Sequence, residues 1–378
     1  MKISGALVFG EDRKFIKRDI YINEGQFTEE ASDFGQEVDA FDCYAIPGLV
    51  DIHFHGALGY DICDGTMEAF ENIALYEAGK GVTAICPATL TLPVGALKDI
   101  LSLGARFAEG EHPKAADVVG FNMEGPFIGR TKIGAQNETH IKKCSVELVD
   151  EFYNASKGLL KIIGLAPEDN PDFERYIKAV KDKVTVSLAH TGADYVTAKR
   201  AIDSGADHAV HLYNAMSGYG HKDPGVVGAV FDSDHVTAEI ICDGIHVHPV
   251  AVRTAFKVMG ADRMILISDS LRCTGMPDGE YTLGGKQIVK TGNRCTLAQE
   301  GNIAGSVFDL MDCMRYAVLE MGITLENAVA AATINPARRI GVDDRYGVIK
   351  KGNVADIVLL NKEDLSLRAV YKNGLKII

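Results

Sequence analysis

The sequence has no excess of positive charge, no long hydrophobic run and no CxxC cysteine pair. Its 52 Asp and Glu residues outnumber 39 Lys and Arg residues, which gives a formal net charge of −13. That charge repels nucleic acid and anionic membrane surfaces at long range. No window approaches the roughly 18 to 20 uninterrupted apolar residues of a membrane helix. We therefore expect neither nucleic acid nor membrane as a partner, whereas a few local cations suffice to bind a small anionic substrate.

The eight cysteines are scattered along 378 residues and do not resemble the disulfide framework of a small secreted protein. Residues 1–5 lack the charged head and apolar stretch of a secretory signal. The sequence also contains no tandem repeat and no low-complexity tract. We expect reduced cysteines and a cytoplasmic location.

Short apolar or β-branched runs alternate with longer helical patterns through most of the chain. The runs predict eight strands, at residues 49–52, 83–86, 118–122, 162–165, 184–188, 208–211, 237–241 and 264–267. Helical patterns fall between them, at residues 66–80, 145–158, 172–182, 194–204 and 248–260. Such alternation predicts an α/β fold with a parallel sheet, and eight units predict a closed (β/α)8 barrel of the TIM type.

Both ends of the chain carry short strand patterns instead. Residues 6–9 and 20–22 are β-like, and residues 354–360 and 367–371 match them at the other end. We expect the two ends to pair into one small β-sandwich. The predicted domains are residues 49–341 for the barrel, and residues 1–48 with 342–378 for the sandwich.

The most informative stretch is residues 47–56, which read PGLVDIHFHG. Two histidines, His53 and His55, stand two residues apart at the end of a strand pattern. Residues i and i+2 of a strand point to the same side, so both imidazoles are expected to face one point. Since imidazole is a common ligand of divalent transition metals, the pair indicates either a metal site or a structural histidine pair.

Active sites of such barrels lie at the carboxyl ends of the strands. Polar residues stand at or just beyond six of the eight predicted strands: His53 with His55, Glu124, His190, His211, His246 and Asp269. Each one alone has a structural explanation, such as a helix cap or a hydrogen bond to a carbonyl. Their alignment by strand position indicates a hydrolytic zinc or iron site. We leave His208 outside this set and expect it to point elsewhere.

A hydrolase of this design uses a metal to lower the pKa of a water molecule towards neutrality. A carboxylate then moves a proton from that water to the leaving group. Asp269 is the best candidate, because it is a lone carboxylate at the end of the last strand. His246 is expected to polarise the scissile carbonyl or to hold its oxyanion.

These residues, in this order, resemble the amidohydrolase superfamily, and more narrowly the N-acetylglucosamine-6-phosphate deacetylases. Besides residues 47–56, the resemblance is carried by MEGPF at 123–127, KIGAQ at 132–136, AHTG at 189–192, HLYNAM at 211–216, PGVVG at 224–228, DGIHV at 243–247, SDS at 268–270, PDGEYTLGG at 277–285 and AGS at 304–306. It covers nearly the whole chain. The resemblance implies hydrolysis of N-acetyl-D-glucosamine 6-phosphate to D-glucosamine 6-phosphate and acetate, in amino sugar catabolism.

The resemblance also implies a role for each matching residue. Glu124, His190 and His211 match the ligands of the essential metal, and His53 with His55 match a second metal position that only some members retain. Asp269 matches the general acid/base, and His246 matches the residue that contacts the substrate carbonyl. Asn214 and Ala215 match a loop that holds the sugar phosphate. The cofactor implied is a divalent metal, zinc first, with iron, manganese and cobalt as alternatives, and one essential ion or two per chain.

Two positions depart from the family pattern. A basic residue before Pro-Gly, usually Arg, reaches the phosphate of the neighbouring subunit's substrate in the family, which implies a functional homodimer. Here Lys222 stands at that position, and it offers a point charge without the bidentate fork of Arg. Gln136 stands where many members have His, which implies a varied contact with the sugar hydroxyls.

Three rival functions stay open at this point. The first is the same reaction on the N-acetylgalactosamine epimer or on another N-acyl amino sugar. The second is a different amidohydrolase, such as a nucleobase deaminase or a cyclic amidase. The third is a barrel that is kept as a non-catalytic binding or scaffold protein.

Overall fold

Eight parallel strand units form the centre of the protein. The computed structural model describes residues 1–30 and 35–378. The strands follow in chain order as Leu49–Asp51, Val82–Ile85 with Ala88–Thr89, Asp117–Val118 with Phe121–Phe127, Leu160–Leu165, Thr185–Leu188, His208–Ala209, Thr237–Ile241 and Met264–Ile267. Each pairs in parallel with its neighbours in this order. All eight predicted strands are confirmed, with ends that shift by a few residues.

The first and last strands meet just beyond their carboxyl ends. The Asp269 amide donates to the His53 carbonyl at 2.9 Å, and the His55 amide donates to the Ser270 carbonyl at 2.8 Å. The Ser268 hydroxyl donates to the Asp51 carboxylate at 2.6 Å. These bonds bring the first predicted site residues against the last one, which completes the predicted barrel.

One helix follows each barrel strand. The eight helices are Met67–Gly79, Val94–Ala108, Val146–Ala155, Phe173–Val180, Tyr195–Ser204, Gly225–Phe231, Pro249–Met259 and Leu310–Leu319. Side-chain caps start several of them, for example Thr66, Ser145 and Asp194. Two more helices, Leu325–Ala332 and Ile334–Arg339, follow the barrel. None of the helices in residues 1–30 and 35–378 is long and apolar enough to cross a membrane.

The chain ends form a small β-sandwich beside the barrel. One sheet has the strand order Gln26–Thr28, Ile20–Asn23, Lys2–Ser4, Glu37–Asp39. The other has the order Leu375–Lys376, Leu367–Lys372, Ile357–Asn361, Cys43–Pro47, Leu7–Phe9, Phe15–Lys17. Aliphatic side chains such as Ile3, Val8, Ile22 and Leu359 are buried between the sheets. We propose domain boundaries after residues 48 and 341.

A separate three-stranded sheet interrupts the connection after the last barrel strand. Its antiparallel strands are Gly279–Leu283, Lys286–Thr291 and Arg294–Leu297, and we call them the lid sheet. Leu283, Ile288, Cys295 and Leu297 pack with Leu90 and Leu271 into a separate apolar cluster. The lid sheet therefore covers one side of the carboxyl end of the barrel.

Candidate active site

A cavity of about 650 Å³ opens at the carboxyl ends of the barrel strands. The floor carries His55, Glu124, His190, His211 and Asp269. The walls come from residues 131–136, from the loop after the sixth strand and from the lid sheet. The structure therefore brings into one cavity residues that lie more than 200 positions apart in the sequence.

The three histidines of the floor and His53, which is buried beneath them, are held alike. Each Nδ1 lies close to an oxygen that can only accept a hydrogen bond. The partners are the Glu239 carboxylate for His53 at 2.7 Å, the Ala88 carbonyl for His55 at 3.1 Å, the Lys132 carbonyl for His190 at 2.8 Å and the Asn214 carbonyl for His211 at 3.1 Å. Each Nδ1 therefore carries a proton, and Nε2 carries a lone pair whenever the ring is neutral.

The four Nε2 atoms converge on two buried carboxylates. Glu124 Oε1 lies 2.8 Å from His190 Nε2, 2.9 Å from His211 Nε2 and 3.6 Å from His53 Nε2. Asp269 Oδ1 lies 3.3 Å from His55 Nε2 and 3.8 Å from His53 Nε2. His55 Nε2 also lies 3.7 Å from Glu124 Oε2. His53 Nε2 is buried without a hydrogen-bond partner in the part of the chain that the structure describes.

This donor set fits divalent metal. Lone pairs that face carboxylate oxygens in a buried space repel one another unless a cation lies between them. Ligand atoms lie within 4.8 Å of one another in two groups, one of His53, Glu124 and His211 and one of His53, His55 and Asp269. Imidazole and carboxylate ligands suit zinc, iron and manganese. The arrangement supports Lewis-acid chemistry on a polar substrate.

The histidines of the site lower the pKa of its two carboxyl groups. Burial disfavours ionised Glu124, but His190, His211 and His53 hold the pKa of that carboxyl well below its usual range. Burial also opposes ionisation of Asp269, yet the contacts with His55 and His53 lower its pKa. Positive charge among these side chains, on the imidazoles or on a metal ion between them, therefore keeps both carboxyl groups anionic, as metal ligands and a general base must be.

The backbone is strained at several of these positions. His190, His211 and Asp269 have φ of 44°, 29° and 51°, and Ala215 has φ of 50°. Non-glycine residues rarely adopt this left-handed region, and such strain clusters at functional sites. Strained residues at the ends of the fifth, sixth and eighth strands thus mark the residue positions that the sequence predicts for the site.

His246 lines the cavity from the loop after the seventh strand. Its Nδ1 lies 2.6 Å from Asp243 Oδ2, which leaves Nε2 for the cavity. Asp243 is held in turn by the amides of Ile245 and His246, each at 2.9 Å. Burial disfavours the charged imidazole, but Asp243 outweighs this effect and raises the pKa of His246. His246 can therefore present a cationic N–H donor to a substrate oxygen.

Asn214 and Ala215 line the same cavity, in a tight loop. The Asn214 side chain donates to the His211 and Leu212 carbonyls at 3.4 Å each, and the Ala215 carbonyl accepts from the Thr191 amide at 3.0 Å. The loop is thus fixed between two metal-site strands.

The other two predicted binding residues lie in different surroundings. Gln136 is buried in the cavity wall, where its Nε2 donates to Glu124 Oε2 and its Oε1 accepts from the Thr91 amide at 2.6 Å. Lys222 lies on an exposed loop, and the residues described as lining the cavity do not include it. A sugar contact by Gln136 and a phosphate contact by Lys222 stay predictions.

The sequence did not single out Glu239 or assign a role to Asp243. Glu239 is fully buried in the seventh strand and faces both His53 and His208. Burial disfavours its charge, but the two histidines lower the pKa of Glu239 to about 2. A lone carboxylate inside an apolar strand pattern is the one signal that points to Glu239. For Asp243 the signal is its spacing of three residues from His246.

Comparisons with known proteins agree with this geometry. The amidohydrolase family profile matches residues 44–376. The chain is 32% identical to the N-acetylglucosamine-6-phosphate deacetylase of Bacillus subtilis (strain 168) over 351 residues, which cover 90% of this chain and 88% of that protein. It is also 32% identical to the N-acetylgalactosamine-6-phosphate deacetylase of Escherichia coli O157:H7, over 87% of this chain and 86% of that protein.

A solved structure shares the whole architecture. It is a variant of the Mycobacterium smegmatis N-acetyl-D-glucosamine-6-phosphate deacetylase in complex with N-acetyl-D-glucosamine-6-phosphate. The TM-score is 0.92 at 26% sequence identity, and the superposition covers 100% of this chain and 99% of that one. The resemblance noted in the sequence is confirmed, and this chain belongs to the amidohydrolase family.

Proposed function

We propose that this protein hydrolyses the acetamide of N-acetyl-D-glucosamine 6-phosphate, giving D-glucosamine 6-phosphate and acetate. The observation that carries the proposal is the convergence of four Nε2 lone pairs on Glu124 and Asp269 at the floor of a 650 Å³ cavity. Such a cavity has room for a sugar phosphate. The deacetylase relatives supply the substrate class.

The metal content is the first part of the proposal. Glu124, His190 and His211 would hold one divalent ion, and His53 with His55 would hold a second. Zinc is the first choice, because histidine and carboxylate ligands suit it, and iron, manganese and cobalt are alternatives. When bound, such ions supply Lewis-acid activation of water and of the acetyl carbonyl.

Asp269 carries the proton transfers. Its carboxylate accepts a proton from the attacking water as the water oxygen bonds to the acetyl carbon. The same carboxyl then delivers that proton to the sugar nitrogen as the C–N bond breaks. Contacts with His55 and His53 keep Asp269 ionised beforehand, so that it starts the reaction as a base.

His246 stabilises the charge that develops on the carbonyl oxygen. Asp243 holds the ring at Nδ1 and raises its pKa, so Nε2–H is directed at the cavity. A fixed cationic donor of this kind stabilises an oxyanion more than a neutral carbonyl, and this difference lowers the barrier.

The phosphate group binds at the edge of the cavity. Asn214 and Ala215 lie on the wall, where polar loop atoms can hold it. Lys222 is exposed, so we propose that it contacts the phosphate bound in the partner subunit of a homodimer. We also propose that Gln136, which lines the cavity, contacts the sugar hydroxyls. We also propose a cytoplasmic location, which the free state of all eight cysteines supports.

A second substrate has a specific observation behind it. The Escherichia coli relative that is named for the galactosamine epimer is as identical to this chain as the Bacillus subtilis relative. We therefore place N-acetylgalactosamine 6-phosphate second.

The decisive experiment measures acetate released from both 6-phosphate epimers, together with the metal content of the purified protein. We expect bound metal and a higher kcat/KM for the glucosamine epimer. A higher value for the galactosamine epimer would reassign the substrate. Ammonia release without acetate would indicate a deaminase, and a metal-free protein without turnover in added zinc, iron, manganese or cobalt would indicate a scaffold.

A further inference from the structure

A line of polar side chains crosses the barrel interior and ends on His53. It begins at Arg339, in the helix Ile334–Arg339. The Arg339 guanidinium donates to Thr237 Oγ1 at 3.4 Å, and this oxygen lies 2.7 Å from His208 Nδ1. His208 Nε2 lies 3.0 Å from Glu239 Oε1, and Glu239 Oε2 lies 2.7 Å from His53 Nδ1. Five residues from four parts of the chain are therefore joined end to end, with Thr237 and Glu239 in the same strand.

The line runs from one end of the barrel to the other. Thr237 is the first residue of the seventh strand, and Arg339 also contacts Thr185 and Asp207, at the amino ends of the fifth and sixth strands. Glu239 lies two residues further along the same strand face as Thr237. His53 lies beyond the carboxyl end of the first strand. The amino end of the barrel is thus linked to the histidines beneath the cavity.

The chemistry of the members fixes the direction of the hydrogen bonds at both ends of the line. Guanidinium can only donate and carboxylate can only accept. Arg339 donates to Thr237, whose hydroxyl lies 2.7 Å from His208 Nδ1 and 3.4 Å from the Asp207 carbonyl. His208 Nε2–H then donates to Glu239. The opposite Glu239 oxygen accepts from His53 Nδ1–H and from the His211 amide at 3.1 Å.

This line of hydrogen bonds fixes the orientation of His53, a predicted metal ligand. With the proton of His53 held on Nδ1, Nε2 stays a lone pair aimed at Glu124 and Asp269. The Nδ1 of His55, by contrast, faces the Ala88 carbonyl and not a carboxylate. The Glu239 carboxylate also adds negative charge behind His53, and this makes the imidazole a better metal ligand.

Packing alone does not explain these residues. The neighbouring interior of the barrel is filled by Val50, Ile52, Ile162, Ile241 and Ile265. Glu239 and His208 are both fully buried, and a buried charged group gives weak support to stability compared with apolar side chains of similar volume. Their presence in an otherwise aliphatic core points to a role in the site above them.

We infer that Glu239, His208 and Thr237 are positioning residues that set the affinity of the second metal ion, the one held by His53 and His55. This inference rests on the metal centre of the proposed function. It assigns the ion at Glu124, His190 and His211 to a different support, because the imidazole rings there are held by backbone carbonyls and Glu239 contacts His211 through its backbone amide, not through its ring.

The test compares three single variants of the full-length protein. Glu239→Gln removes the charge and leaves one amide oxygen for three donors. Thr237→Val removes the hydroxyl that orients His208, with little change in volume. Thr185→Val is the matched control, since Thr185 accepts from the same Arg339 at 3.2 Å but lies outside the line. Zn²⁺ affinities are measured by competition with a chelator, and stoichiometry is measured by elemental analysis.

We expect two ions in the wild type and in Thr185→Val. Glu239→Gln should weaken the second ion by about 10- to 100-fold, the usual effect of removing a partner of a metal ligand, and leave the first unchanged. Thr237→Val should act in the same direction by a smaller factor. Circular dichroism and thermal unfolding confirm that each variant is folded, and Thr237→Val keeps the test informative if Glu239→Gln does not fold.

The outcomes separate this inference from the proposed function. Wild-type protein that binds no metal overturns the proposed function itself. Two ions in the wild type with unchanged second-ion affinity in both Glu239→Gln and Thr237→Val overturn only the inference. It is also overturned if the wild type binds a single ion, or if Thr185→Val weakens the second ion as much as Thr237→Val.

Discussion

Replacing Asp269 by Asn tests the assignment of the proton-transfer group. Asparagine keeps the size of the side chain but cannot accept the water proton. Asp269 is 8% exposed, and its nearest site partners are His55 Nε2 at 3.3 Å and His53 Nε2 at 3.8 Å. Neither histidine can replace the base, because both Nε2 atoms face the metal position.

The magnitude follows from the loss of one general base. Positioned acid–base groups contribute roughly 10²- to 10⁴-fold, which corresponds to about 2.7 to 5.4 kcal/mol of barrier. We therefore expect kcat for acetate release to fall by that factor, while the ion at Glu124, His190 and His211 stays bound. Acetate is measured by a coupled assay, and metal is measured on the same sample.

The variant Asp356→Asn is a control that separates the loss of the base from the neutralisation of a buried carboxyl group. Asp356 is 5% exposed in the sandwich, where its Oδ1 accepts from the Asn373 amide at 2.8 Å. Burial raises the pKa of Asp356 to about 6, so Asp356→Asn also neutralises a buried carboxyl group. We expect normal turnover from this control. Near-normal turnover in Asp269→Asn would refute our assignment of the base.

Three further predictions concern the phosphate, the oxyanion donor and the metal. Lys222→Ala should raise KM for the phosphorylated substrate far more than for free N-acetylglucosamine. The control Lys181→Ala, at another exposed lysine, should change neither KM. Equal effects of Lys222→Ala on both substrates would show that Lys222 does not contact the phosphate. Asp243→Asn should lower the pKa of His246, so kcat/KM should fall at a lower pH than in the wild type. An unchanged pH profile would show that the charge of His246 does not contribute to the rate. Exhaustive chelation should abolish turnover and lower the melting temperature, because ions that bind only the native state stabilise it. Added zinc should restore both. An unchanged melting temperature would argue against a buried metal centre.

The sequence predicted the barrel well because its strands are apolar runs separated by clear helical patterns. The lid sheet was missed, since its short strands alternate exposed residues with few apolar ones and its turns are rich in glycine. Short polar strands of this kind are hard to tell from loops. They become strands here because Leu283, Ile288 and Leu297 pack against Leu90 and Leu271.

In the site, too, the sequence predicts some residues and misses others. Residues at strand ends are found from strand order alone, because the barrel brings those ends together. Strand periodicity does not orient His53 and His55, however, because the strand ends at Asp51. Their rings are oriented by contacts with Glu239 and the Ala88 carbonyl. Glu239 lies 186 residues from His53 in the sequence, and no local spacing connects the two.

One titration tests the central claim most directly: acetate released from N-acetyl-D-glucosamine 6-phosphate, measured against bound metal per chain in protein first stripped of metal. The account predicts no turnover without metal, turnover on binding of the first ion, and a stoichiometry of two ions at saturation. Acetate release that does not depend on bound metal, or no acetate release at any metal content, would contradict it.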